Sequence, residues 1–243
     1  MYTLRDESVT SDSRLGRLEE FDERSRTFPI RTQVPEALTR GRSWACAPRY
    51  DQGREGACVS FAWHHELGAY PKATVGFTFT EMKERYWEMQ RTDEWNGGSY
   101  PGASPFYEGT SVLSGAKLMT NAGYYNEYRW AFTIDEVLRA IVHEGPVVLG
   151  IPWLDSMFRP RPSGLMDCTG TAAGGHAIMA RGVSLKPRLR GEANDEPIIR
   201  LRNSWGPAWG QYGDCFVKAS DLERLLKDNG ECCVPMQRKF QEV

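Results

Sequence analysis

The spacing of apolar positions changes character about halfway along the chain. From Cys58 to Tyr70, the residues Val59, Ala62, Trp63 and Leu67 recur at helical spacing, and Gly68 and Pro71 stop the run. A second helix is predicted over 81–90, started by Thr78 or Thr80. A third is predicted over 112–121, after a loop carrying Asn96-Gly97-Gly98 and Pro101-Gly102. Thr133 and Glu136 form a capping box for a fourth, with Ile134, Val137, Leu138, Ile141 and Val142 on one face and Gly145-Pro146 as its stop. Beyond it the period shortens to β-type runs at 147–151, 176–183, 197–203 and 215–218, and a final helix over 220–228 carries a Ser220–Glu223 capping box. Helices first and strands later argue an α+β fold with a boundary near 123–132. Residues 1–40 follow neither pattern: Leu15, Leu18 and Phe21 have helical spacing, but Phe28-Pro29-Ile30 and Pro35 favour an extended path, so this stretch reads as an arm laid on the body.

Composition narrows the classes. At 243 residues, 40% hydrophobic and 26% charged, the chain suits one compact body or two small lobes sharing a cleft. A net charge of -2 with scattered Lys and Arg argues against nucleic acid or an anionic membrane as a partner. Met1-Tyr2-Thr3-Leu4-Arg5-Asp6-Glu7 lacks the apolar core of a secretion signal and no run approaches a membrane span, so a cytoplasmic location is expected. Six unevenly spaced cysteines fit neither a disulfide scaffold nor a zinc site, and adjacent Cys232 and Cys233 read as one buried and one exposed thiol near a C-terminal strand.

Cys58 opens its predicted helix, where the positive end of the helix dipole and unpaired N–H groups stabilise a thiolate. Taken alone, a cysteine in an apolar helix is more often a small core residue. Its chemistry needs a base, and the chain has four histidines. His64 and His65 lie six and seven residues along the same helix, about 9 to 10.5 Å away at the helical rise, and cannot reach Cys58. His143 falls in the last turn of the fourth helix, where the dipole gives it a structural role. His176 remains; it opens a strand behind Gly174-Gly175, which leave the imidazole edge open, though alone it too reads as structural. Asn203 supplies a third part, because an amide oxygen can accept the imidazole N–H and fix the ring, and Trp205 beside it can shield that bond from water.

Together these residues resemble the papain and cathepsin family of cysteine peptidases. The resemblance lies in three segments in the family's chain order: Asp51-Gln52-Gly53-Arg54-Glu55-Gly56-Ala57-Cys58, Gly175-His176-Ala177-Ile178-Met179-Ala180, and Asn203-Ser204-Trp205-Gly206. It implies a two-lobed fold with the active site in the cleft: an arm over 1–43, a helical lobe over 44–126 and a β-rich lobe over 127–243. It implies a peptidase without cofactor or metal, acting on protein or peptide through Cys58 as nucleophile, His176 as base, Asn203 as orienting residue and Gln52 in the oxyanion hole. Cys58 and His176 would rest as a thiolate–imidazolium pair. Tyr107-Glu108-Gly109-Thr110-Ser111 looks like the substrate-backbone segment, so Gly109 would bond substrate main chain, and Thr110 and Ser111 would border the pocket for the second residue before the cleaved bond. Gly56, Gly175, Ala177 and Trp205 complete the implied substrate contacts. Acyl transfer or isopeptide cleavage by the same machinery, and an inactive papain-fold binding module, are the alternatives.

The departures have meaning too. Glu55 stands where the family has a cysteine, Val59 where an aromatic follows the nucleophile, and Gly175 where Asp or Asn precedes the base. They resemble the intracellular papain-like proteins of bacteria and their viruses. The segment before Trp44 has no room for a long helical inhibitory propeptide, so latency is expected to come from elsewhere.

Overall fold

The computed structural model describes residues 12–20, 22, 27–30, 38–192 and 195–239; Phe21 and Pro35 fall outside them. Among the described residues, the helices α1 (Cys58–Leu67), α2 (Phe79–Thr92) and α3 (Val112–Asn121) come first, and α4 (Ile134–His143) and α5 (Ala219–Lys227) are interleaved with strands. The strands are β1 (Arg17–Leu18), β2 (Arg42–Ser43), β3 (Thr110–Ser111), β4 (Glu127–Trp130), β5 (Val147–Leu154), β6 (Ala172–Ser184), β7 (Ile198–Arg202), β8 (Asp214–Lys218) and β9 (Glu231–Met236). Six of them form an antiparallel sheet in the order β4-β9-β5-β6-β7-β8, with β2 as a seventh on β6. The class is α+β, as the change of period predicts.

Local chemistry sets the helix ends. Thr78 caps α2 and Thr133 caps α4 through capping boxes with Glu81 and Glu136. The expected Ser220–Glu223 box does not form: α5 begins at Ala219, and Glu196 accepts hydrogen bonds from Ser220 N–H and Oγ–H instead. A carboxylate from a distant loop reaches the helix end first, and Glu223 pairs with Lys227.

The sheet is buried on both faces. On one side Leu149, Ile178, Leu201 and Cys232 pack with Val137 and Ile141 of α4 and Leu222 of α5. On the other, Val148, Ala177 and Cys233 pack with Val59, Ala62 and Trp63 of α1 and Leu113 of α3. Cys232 and Cys233 are therefore both buried, contrary to the expected split, because successive strand residues point to opposite faces and both are covered. Helix α1 is buried along its whole length, since α2 and α3 cover what the sheet does not. A Cβ on Gly115 of α3 would lie 2.1 Å from Trp63 Nε1, so only glycine permits this approach. No helix among the described residues is long and apolar enough to cross a membrane.

Around Arg17–Leu18 the arm is extended rather than helical. Leu15 is buried, and Arg17–Leu18 pair in parallel with Thr110–Ser111, so the helical spacing gives way to tertiary pairing.

Candidate active site

The first turn of α1 meets the start of β6. Cys58 is fully buried, and Ala177, the residue after His176, donates its N–H to Cys58 Sγ at 3.4 Å. His176 Nε2 and Asn203 Oδ1 are 2.8 Å apart, and the same oxygen accepts Ser204 N–H at 2.8 Å. With Nε2 committed to Asn203, Nδ1 has no well-formed hydrogen-bond partner among the described residues, Cys58 Sγ included, and the Arg14 backbone lies against the ring. Trp153 meets the His176 ring edge-on at 4.6 Å between centroids and Trp205 lies at 5.0 Å, which shuts water from the His176–Asn203 bond. Trp153 lies outside the motifs and carried no signal in the sequence.

Gln52 is oriented from both ends of its amide. Ser204 Oγ–H donates to Oε1 at 2.5 Å, which turns Nε2 toward the cleft, where it donates to Glu55 C=O at 2.6 Å and Arg14 C=O at 3.0 Å. Ser204 was visible only as part of a motif, and its hydroxyl is what aims the amide. Glu55, at the family's cysteine position, pairs with Lys83 at 2.6 Å. The other histidines are occupied elsewhere: His64 Nδ1 lies 2.7 Å from Ser60 C=O, and His65 Nε2 accepts Tyr50 N–H at 3.0 Å.

The arm lies across this junction. Arg14 stacks its guanidinium 4.1 Å over Trp205 and is held there by Asp12 at 2.6 Å. Gly16 passes between Gly56 and Gly109: a Cβ on Gly16 would lie 1.9 Å from Gly56 O, and one on Gly109 2.6 Å from Gly16 O. Thr110 N–H donates to Gly16 C=O at 2.9 Å. Gly109, expected to bond substrate main chain, spends its N–H on Tyr86 Oη at 2.7 Å and its C=O on Gln90 Nε2 at 2.9 Å. The arm makes its own main-chain contact one residue on, at Thr110. Ser111 caps α3 and donates its hydroxyl to Glu20 of the arm.

This cover reverses the expected ionisation. Burial pushes the Cys58 thiol up to about 11, against the pull of the Ala177, Gly16 and Val59 backbone, and burial pushes His176 down to about 4, against its bond to Asn203. With the arm in place the pair is a neutral thiol and a neutral imidazole, because loss of water outweighs the helix end. The short arm itself covers the site.

A central helix opened by a buried cysteine, packed on an antiparallel sheet that carries the histidine and asparagine, is the fold of the papain-like cysteine proteases. Xylellain, a cysteine protease from Xylella fastidiosa, superposes with a TM-score of 0.63 at 16% identity, over 96% of this chain and 99% of that one. The Carica candamarcensis cysteine protease CMS1MS2 gives 0.58 at 14% identity, over 83% and 100%. In sequence, cysteine proteinase RD21A of Arabidopsis thaliana is 21% identical over 229 residues, which is 86% of this chain and 46% of that protein, so the chain spans about half the length of this curated relative. No family model matches the chain.

Proposed function

We propose that the chain hydrolyses internal peptide bonds through a Cys58–His176–Asn203 site, and that its arm holds that site closed. The observation that carries the reading is the division of the imidazole: Nε2 is bound to Asn203, Nδ1 is left unbound, and the next residue's N–H lies on Cys58 Sγ. Once the arm leaves and water enters, the penalty on the charged forms falls and the proton can pass from Sγ to Nδ1. The thiolate attacks the scissile carbonyl carbon, and Gln52 Nε2 with the Cys58 backbone N–H stabilises the oxyanion. His176 returns the proton to the leaving amine, then takes one from the water that frees the acyl group.

The direction of the arm supports latency. His176 and Trp205 mark the side of the leaving amine, so a substrate runs from the Thr110 side toward Trp205. The arm runs the opposite way, from Arg14 on Trp205 to Arg17 beside Thr110. Its passage across the whole junction, from Asp12 to Glu20, supports a cleft that takes the middle of a chain.

The test is covalent labelling by an epoxysuccinyl or vinyl-sulfone probe of the chain carrying Arg14→Ala, with and without Cys58→Ala, followed by cleavage of a peptide library. Labelling and cleavage that both vanish with Cys58→Ala are expected. Equal labelling without Cys58 contradicts the assignment.

A further inference from the structure

One side chain of the arm fills a slot of particular chemistry. Arg17 leaves the backbone beside Thr110 and runs between Gly150 of β5 and Gly175 of β6. A Cβ on Gly150 would lie 2.8 Å from Arg17 Nε and 2.7 Å from Glu231 Oε1, and one on Gly175 3.2 Å from Arg17 Cδ. Two glycines thus clear the width of a long side chain, and Val112 closes the wall, 2.9 Å from the same Gly150 position. At the end stands Glu231, the first residue of β9. Its Oε1 accepts from Arg17 Nε at 3.0 Å and Nη2 at 2.8 Å, and Asn229 C=O accepts from Nη2 at 2.9 Å. The Arg17 side chain is 4% exposed and that of Glu231 17%, so this ion pair is largely out of water.

The slot's place on the substrate path follows from the arm. Gly16 lies over the catalytic thiol, and Arg17 is the next residue on the side away from Trp205 and the leaving amine. A substrate laid the other way puts there the side chain two residues before the cleaved bond. An apolar side chain in that place would leave Glu231 as a largely covered carboxylate without its cation. A lysine would reach with a point charge but could not present the Nε and Nη2 fork that Oε1 and Asn229 C=O receive.

We infer that Glu231, with the Gly150–Gly175 slot, selects substrates with arginine two residues before the cleaved bond, and that Arg17 is the arm's own occupant of that subsite. The inference rests on the peptidase reading above, and two measurements separate them. In the full chain carrying Arg14→Ala and Arg17→Ala, which loosens the arm and empties the slot, fluorogenic dipeptide amides with arginine at that position are cleaved at least about tenfold faster than those with leucine, and Glu231→Gln removes the preference. Leucine substrates cut as fast as arginine ones, or a ratio unmoved by Glu231→Gln, overturns the inference. The second measurement needs no turnover: a synthetic peptide copying residues 12–20 is titrated against the Arg14→Ala, Arg17→Ala, Cys58→Ala chain. It binds at least about tenfold more tightly with arginine than with alanine at the position of Arg17, and Glu231→Gln cancels the difference. Equal binding overturns the inference. A binding difference without cleavage of any peptide supports the guanidinium subsite and sinks the peptidase reading instead.

Discussion

Two of the clusters of buried polar groups among the described residues are built on opposite plans. Around Asp214, three guanidiniums converge on one carboxylate: Arg181 at 2.6 Å, Arg200 at 2.7 Å and Arg202 at 2.6 Å. Arg181 also donates to Trp44 C=O, and Arg202 to Pro48 C=O, so the cluster fastens the segment leading to Gln52. At the catalytic junction, by contrast, His176 Nδ1, Asn203 Nδ2 and Trp205 Nε1 are buried without hydrogen-bond partners among the described residues. A saturated cluster holds a shape, whereas unused hydrogen-bonding capacity costs stability and leaves groups free to take a ligand. The two are neighbours in the fold: Asn203 N–H donates to Gly213 C=O, one residue before Asp214, so the rigid cluster steadies the reactive one.

The sharpest way to break this contrast is Asp214→Asn. It leaves three guanidiniums facing an uncharged amide, and chemical denaturation is expected to show a loss of about 3 to 5 kcal/mol. Burial pushes Asp214 up, yet the hydrogen bonds from Arg202 and Arg181 outweigh it and hold the group at about 2, below the usual 3.8. Its contribution is therefore complete above about pH 4 and is lost as pH falls toward 2, and in Asp214→Asn that part of the pH dependence of stability should flatten. A smaller effect is expected on the reactive side. Gln52→Ala removes the proposed oxyanion donor and should lower kcat by about 10²- to 10³-fold with little change in stability, measured on peptide cleavage in the Arg14→Ala background that loosens the arm. An equal loss of stability in Gln52→Ala would erase the distinction between the clusters.

The reactive cluster was easier to read from sequence than the structural one. Cys58, His176 and Asn203 sit at element boundaries, where dipole ends and open edges give a rare residue type a chemical meaning, and the structure brings all three to one junction. Helices α2 and α4 were equally readable, since Thr78–Glu81 and Thr133–Glu136 are local signals that nothing distant overrides. Ser220 was misleading because Glu196 competes for it. The Asp214 cluster is assembled from three strands, and nothing near Asp214 in the sequence announces Arg181. Glu231 meets Arg17 from 214 residues away, so nothing local in the sequence marks it. The arm's path was hidden for the same reason: β1 and β3 are two residues each, and their pairing depends on the glycine gaps at Gly56 and Gly109 rather than on any period.

The central claim, that the arm keeps an otherwise competent Cys58–His176 pair dry and neutral, is tested most directly by the pH dependence of Cys58 alkylation by iodoacetamide, followed site by site by mass spectrometry. In the parent chain a thiol held at about 11 is ionised in only about one molecule in 10⁴ at neutral pH, so labelling should be slow and rise steadily into the alkaline range. With Arg14→Ala and Arg17→Ala together, which remove the arm's hold on Trp205 and Glu231, Cys58 should label at least about tenfold faster at pH 7, with the rise shifted to lower pH. Rapid neutral-pH labelling of the parent chain, with a profile unchanged when the arm is loosened, would contradict the account.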